Sequence, residues 1–312
     1  MKNFPGITKL AAIGLSAVLS ACAGTPMNQA MPPDLLAGDK TTQVLSAVSQ
    51  SEMQAHIAVQ DSSALAGQFG LIGALVGAAI DSGVNSSRTE AANERLAAIR
   101  DALIDFDFTQ YYFDHLHANV DNAALGAVVF SRASEFTDAY YYRRTQDPGV
   151  QYTLFLNGDY YLSADFSAIQ VGIRALLVDN ATIADRKGKS GRPPQLEIAD
   201  AAYRSTILAE FVLDAHQTDD PAANATRWAE QGATLARTAL ERGVVLATEV
   251  LEMDLTGPDY AQLATELNET RPIAGLPSQA VARLANATVF KRTTDGALWV
   301  VPDERLSLAD SN

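Results

Sequence analysis

A chain of 312 residues with 47% apolar and 19% charged side chains has material for a globular core and is too apolar to stay disordered. Its net charge of −14 works against phosphate backbones, which excludes nucleic acid as a partner, and against anionic headgroups as a purely electrostatic anchor. With Cys22 as the single cysteine, no internal disulfide can form and the fold must stand on its core.

The chain opens on a leader. Lys2 and Lys9 precede an apolar run from Leu10 to Leu19, and small residues close it, the pattern of a secretory signal. The closing stretch, Leu19-Ser20-Ala21-Cys22, resembles the lipobox of bacterial lipoproteins. The resemblance covers the first two dozen residues. It implies cleavage before Cys22 and acylation of that residue, palmitate included. Because Ala23 follows where an aspartate would favour the inner membrane, it also implies delivery to the periplasmic face of the outer membrane. More than one acyl chain, at about 0.8 kcal/mol per buried methylene, anchors stably. The layout expected is a signal peptide over 1–21, a lipidated tether over 22–40 and one periplasmic domain over 41–307. Pro, Gly and Ala enrich the tether.

Two short strands are expected between 41 and 60, parted by Gln50-Ser51-Glu52. From Ser62 to Ile80 there is no charge in 19 residues, and Gly67, Gly70, Gly73 and Gly77 share one face of a helix. Each glycine costs a helix about 1 kcal/mol against alanine, so the pattern calls for a compensating close approach of backbones. The Gly-rich apolar helix is expected within 62–82, and over about residues 64–84 it resembles glycine-zipper segments of several proteobacterial envelope lipoproteins of unassigned role. Three readings stay open: a helix inside the domain core, a self-association face, and insertion into a bilayer.

Helices are expected from a capping box at Ser87 and Glu90 to about residue 104, over 107–120 with Phe108, Tyr112 and Leu116 at spacing four, and over 123–133. The period then changes to two. Strands over 151–156 and 159–163 are joined by Asn157-Gly158, a type I′ turn signal, and strands over 169–178 and 203–213 follow. Asp220-Pro221 starts a helix that runs to about Leu255, and Asp259–Leu267 is a short one. A terminal hairpin turns at Asp295-Gly296. The fold class expected is α+β: an antiparallel meander sheet with several amphipathic helices and one Gly-rich apolar helix.

Signals for chemistry are sparse. His115 and His117 are the candidate metal ligands, but a helix turns them about 200° apart, and His56 and His216 cannot be placed beside them. Gly188-Lys189-Ser190 lacks the earlier glycine of a phosphate loop, since Ile183 stands there, and reads as a basic surface loop. No Gly-x-Ser-x-Gly elbow occurs. The tyrosine groups 111–112, 140–142 and 160–161 serve either as a platform with Arg143 and Arg144 or as core and rim. No catalytic residue and no cofactor is assigned. The role expected is non-enzymatic: an outer-membrane-anchored lipoprotein that associates with itself or with an outer-membrane protein through the face of Gly67, Gly70, Gly73 and Gly77. A pore-forming or export-channel oligomer is the alternative, and a periplasmic hydrolase a further one.

Overall fold

The computed structural model describes residues 28–35, 40–48, 50–55, 86–120, 125–134, 137–184, 186, 194, 196–213 and 218–306. Cys22, His56, His216 and the Gly67–Gly77 series lie outside the described residues, as does the expected helix over 62–82.

Among the described residues ten strands form one sheet. In chain order they are β1 (Thr41–Val48), β2 (Gln54–Ala55), β3 (Ala127–Arg132), β4 (Tyr152–Leu162), β5 (Ala168–Asp179), β6 (Ala201–Val212), β7 (Thr270–Ile273), β8 (Leu276–Arg283), β9 (Ala287–Arg292) and β10 (Leu298–Pro302). The order across the sheet is β3-β1-β4-β5-β6-β10-β9-β8-β7, and β2 continues the line of β1 along β4. The helices are α1 (Ser86–Ala102), α2 (Phe108–Val120), α3 (Asp138–Arg144), α4 (Pro221–Leu255) and α5 (Tyr260–Leu267).

This corrects the expected antiparallel meander: the fold is mixed α/β. β1 is parallel to both β3 and β4, and β6 is parallel to β10. The parallel pairs arise because long crossovers, through α1 and α2 or through α4 and α5, carry the chain back before it pairs. Among the described residues no Gly-rich apolar helix is present. The segment expected as a helix over 123–133 holds β3.

Asn157-Gly158 is the second correction. It sits in the middle of β4, paired with Arg174 and Ile173 of β5, and makes no turn. Glycine is needed there for space: a Cβ on Gly158 would meet the Tyr112 ring of α2 at 2.8 Å. The dipeptide signals a hairpin only where φ is positive, and here the glycine answers a side chain pressing on the strand.

The two faces of the sheet differ. Leu154, Leu156 and Leu162 of β4 join Ile169, Val171 and Ile173 of β5, and Ile207 and Phe211 of β6, in one large core under α1, α2 and α4. On the second face there are two smaller apolar clusters. One gathers Leu45, Phe155 and Leu176 against Tyr141 of α3, and the other gathers Leu208, Trp299, Phe290 and Ala280.

Asp220 caps α4 by accepting the amide of Ala222 at 2.9 Å, with Pro221 in the first turn. The helix is broken once. Gln231, Gly232 and Ala233 have φ of 51°, 68° and 58°, a single left-handed turn. Such a turn costs about 1–2 kcal/mol for each residue other than glycine. Before the break, Trp228 donates its indole N–H to the Phe166 carbonyl at 2.9 Å, and the Asn224 amide reaches the Asp165 carbonyl at 3.0 Å. Both hold the β4–β5 turn.

The sheet edges are unlike. β7 is four residues long and contains Pro272, which removes a donor from the edge. β3 exposes Val129 at 50%, and among the described residues no strand pairs with its outer edge.

Candidate functional site

Three polar groupings stand out, and each is placed by the sheet. The first is a belt across the second face, between its two apolar clusters. Asn157, Asp159 and Tyr161 of β4 alternate onto this face and pair with Arg174, Gly172 and Gln170 of β5. Thr206, Leu208 and Glu210 of β6 continue the rows. Asp159 is 5% exposed and Asn157 is 1% exposed. Arg174 Nη1 meets Asp159 Oδ2 at 2.8 Å. Gly172 leaves the room that the carboxylate fills, for a Cβ there would stand 2.2 Å from Asp159 Oδ1. That oxygen is buried and has no hydrogen-bond partner among the described residues.

Burial raises the Asp159 carboxyl above its ordinary value, and the Arg174 charge opposes the shift. Burial also raises Glu210, while the hydrogen bond from Gln170 pulls it back. Gln170 donates its amide to Glu210 Oε2. Tyr161 is pushed up by burial and by Asp159. The belt offers amides, carboxyls and a guanidinium on neighbouring strands, which stand about 4.8 Å apart in a sheet.

The second grouping lies in the large core. Asp254, near the end of α4, accepts the Tyr203 hydroxyl on Oδ2 and the Tyr260 hydroxyl on Oδ1, each at 2.7 Å. Lys291 Nζ stands 4.3 Å from the Tyr260 ring centroid. Burial lowers the Lys291 ammonium, against the pull of Asp254. Both tyrosines are raised, foremost by burial and next by the Asp254 charge. This set ties α4, α5, β6 and β9 together, since both carboxylate oxygens are occupied.

The third is a clasp. The described chain begins at Asn28, whose side-chain amide donates to the Gly296 carbonyl at 2.9 Å. Its Oδ1 accepts the Thr206 amide at 3.1 Å, and its own amide donates to the Asp295 carbonyl at 3.2 Å. Gln29 exchanges two backbone bonds with Arg204, at 2.8 and 3.0 Å, as an extra antiparallel bridge on β6. Met31 is buried in the large core. Under the clasp Arg204 is 6% exposed, and its Nη2 donates to Gln29 Oε1 at 3.1 Å. Its Nε and Nη1 have no hydrogen-bond partner among the described residues, and burial lowers its pKa.

The expected candidates fare differently. His115 and His117 both lie on α2, apart as the helix requires: His115 faces Tyr111 at 4.6 Å and His117 faces Phe130 at 5.1 Å. Among the described residues no three His, Cys, Asp or Glu gather as metal ligands. Tyr112, Tyr141 and Tyr160 are buried, whereas Tyr111, Tyr140, Tyr142 and Tyr161 are half-buried, so each tyrosine group contributes both to the core and to its rim. A shallow groove of about 460 Å³ is lined by Thr145, Gln151, Tyr152 and Asn180, at the end of the sheet where β4 and β6 begin.

Asp159, Arg174, Glu210 and Asp254 escape sequence reading. The period-two recurrence of polar residues at 157, 159 and 161, answered by Gln170 and Arg174, is the available signal, and the turn reading of Asn157-Gly158 masks it. Among the described residues no helix is long and apolar enough to cross a membrane. No known protein-family model matches the chain, and a search of curated proteins returns no match.

Proposed function

We propose that the protein is an outer-membrane-anchored lipoprotein with a non-enzymatic envelope role in structure, assembly or interaction. Cys22 carries the acyl chains in this reading. The segment with Gly67, Gly70, Gly73 and Gly77 is the face through which the protein meets a second copy or an outer-membrane protein. The observation that most favours an anchored body is the clasp. Asn28–Met31 are bonded into the sheet only six residues after Cys22, so a pull on the tether is transmitted to β6 and the β9–β10 turn. Asp254 has both carboxylate oxygens taken by tyrosine hydroxyls, which favours a structural use of that buried charge.

The test is membrane fractionation of cells that express the chain and its Cys22→Ser variant, with the mass of the mature N-terminal peptide. The reading expects an acylated Cys22 and a shift of the variant from the membrane to the soluble periplasm. A bare Cys22 thiol in a mature membrane-bound chain would sink it. For the association, Gly73→Leu with Gly77→Leu is expected to change the assembly state, measured by light scattering in detergent. An unchanged state would remove that face.

A further inference from the structure

Arg204 of β6 stands on the second face, two residues before Thr206 and opposite Leu176 of β5. A guanidinium keeps its charge at every pH a folded protein meets, and it presents five N–H donors. Arg204 is 6% exposed, and only its Nη2 is engaged, by Gln29 Oε1 at 3.1 Å. Nε and Nη1 carry three of the five donors. Both atoms are shielded from solvent and have no hydrogen-bond partner among the described residues. Burial alone acts on the pKa of Arg204, and no carboxylate of the described residues opposes it. A charge buried without its counter-ion is among the costliest arrangements in a folded chain.

The surroundings leave that charge unanswered. Arg174 is the diagonal neighbour on β5, about 7–8 Å away between Cα atoms. It is met by Asp159 at 2.8 Å, so one positive charge remains at this place in a chain of net −14. Gln29 shows why residue 29 does not itself supply the anion. Its Nε2 donates to the Ala202 carbonyl at 2.9 Å, and a glutamate there would set an oxygen against that carbonyl. Gln29 is exposed and exchanges two backbone bonds with Arg204. Its side chain is therefore a neutral cover over the guanidinium, and the clasp keeps its backbone pairing if that cover swings away.

We infer that Arg204 is the anchor of a binding site for a small monocarboxylate on the second face, entered where the Gln29 side chain covers it. Two oxygens of a planar carboxylate match the N–H fork of a guanidinium. Its single negative charge equals the charge left over, whereas a phosphate monoester brings about −1.5 to −2 at pH 7. Leu176 and Phe155, in the apolar cluster beside Arg204, form a wall of low polarity against which charge-assisted bonds strengthen. The ligand is small because the cover it displaces is one carboxamide side chain. The site stands whether or not Cys22 is acylated.

The experiment uses the full chain in a non-ionic detergent at pH 7, with its arginines labelled in nitrogen-15. The Arg204 Nε–H resonance is assigned by its loss in Arg204→Met. Sodium acetate is the probe, and sodium chloride at the same ionic strength is the reference. Acetate is expected to shift the Arg204 resonance saturably. A resonance that acetate moves no more than chloride does overturns the site. Gln29→Ala keeps the backbone bonds of the clasp and is expected to saturate at several-fold lower acetate. Equal or weaker binding in that variant overturns the entry at Gln29. Saturation by inorganic phosphate at a lower concentration than by acetate overturns the carboxylate class. As a second measurement, the melting temperature of the wild type is expected to rise further in acetate than in chloride, and the difference to vanish in Arg204→Met. An equal difference in both proteins puts acetate elsewhere and overturns the site.

Discussion

The two faces of the sheet solve the same problem in opposite ways. The helix-covered face is mainly apolar, and Asp254, which stands there near Lys291, has both oxygens taken by tyrosine hydroxyls. The second face interrupts its apolar surface with the belt of Asn157, Asp159, Arg174, Gln170 and Glu210. On the first face polar groups serve the packing. On the second, packing is given up to hold polar groups, one oxygen of Asp159 among them with no partner. A buried polar atom left in that state costs about 1–3 kcal/mol, so the second face is where stability has been exchanged for something else.

The sharpest way to break this contrast is Asp254→Ala. It strands two buried hydroxyls and is expected to destabilise by about 3 kcal/mol, measured by urea unfolding. A loss below about 1 kcal/mol would mean that the core polar set is not a tie. Next comes Gly158→Ala, whose Cβ runs into Tyr112 and is expected to remove about 2 kcal/mol as an overpacked site. An unchanged denaturation midpoint would show that Tyr112 can yield.

On the second face the sign is expected to reverse. Arg204→Met removes a buried guanidinium with two unpaired nitrogens and should stabilise by about 1 kcal/mol, since apolar replacements of buried charge are often favourable. A loss of stability would argue that the charge has a use in the native state. Relief of the left-handed turn by Gln231→Gly should add about 0.5 kcal/mol, the difference between the strain removed and the entropy given to the unfolded chain. A lower melting temperature would count against strain at that turn.

The smallest effect expected is one of pH. Asp159 and Glu210 have raised carboxyl pKa values in the folded chain, so the folded state holds protons that the unfolded state releases. Their contribution to stability is present in acid and is lost as pH rises through their folded values. As pH is lowered from 7 toward the ordinary carboxylate range, the wild type should therefore gain on Asp159→Asn with Glu210→Gln. Parallel melting curves across that window would show that the belt does not titrate.

What the sequence made legible was local. The cap at Asp220, the proline after it and the run of α4 to Leu255 are written in neighbouring residues, and so is the terminal hairpin at Asp295-Gly296. What it hid was pairing. β1 meets partners about 85 and 110 residues away along the chain, and no periodicity within β1 names them. β3 carries Ala127-Val128-Val129-Phe130, which fits a helix stripe as well as an edge strand. β7 and β8 carry Pro272 and Pro277, residues that are rare in paired strands and so obscure them in the sequence. The candidate belt failed for the same reason as the meander: once Asn157-Gly158 is taken for a turn, Asp159 and Arg174 no longer face each other.

The position of β10 bears on how the molecule comes to exist. It is the last strand in chain order among those described, yet it lies between β6 and β9 and is the strand that joins the β7–β9 group to the rest of the sheet. Until residues 298–302 arrive, the earlier strands present an unpaired edge at β6 and the β7–β9 group is docked to nothing in the sheet. Assembly of the whole sheet is thus deferred to the end of the chain. A polypeptide threaded N-terminus first across a membrane would emerge with its sheet incomplete and would join the two parts only after β10 had passed.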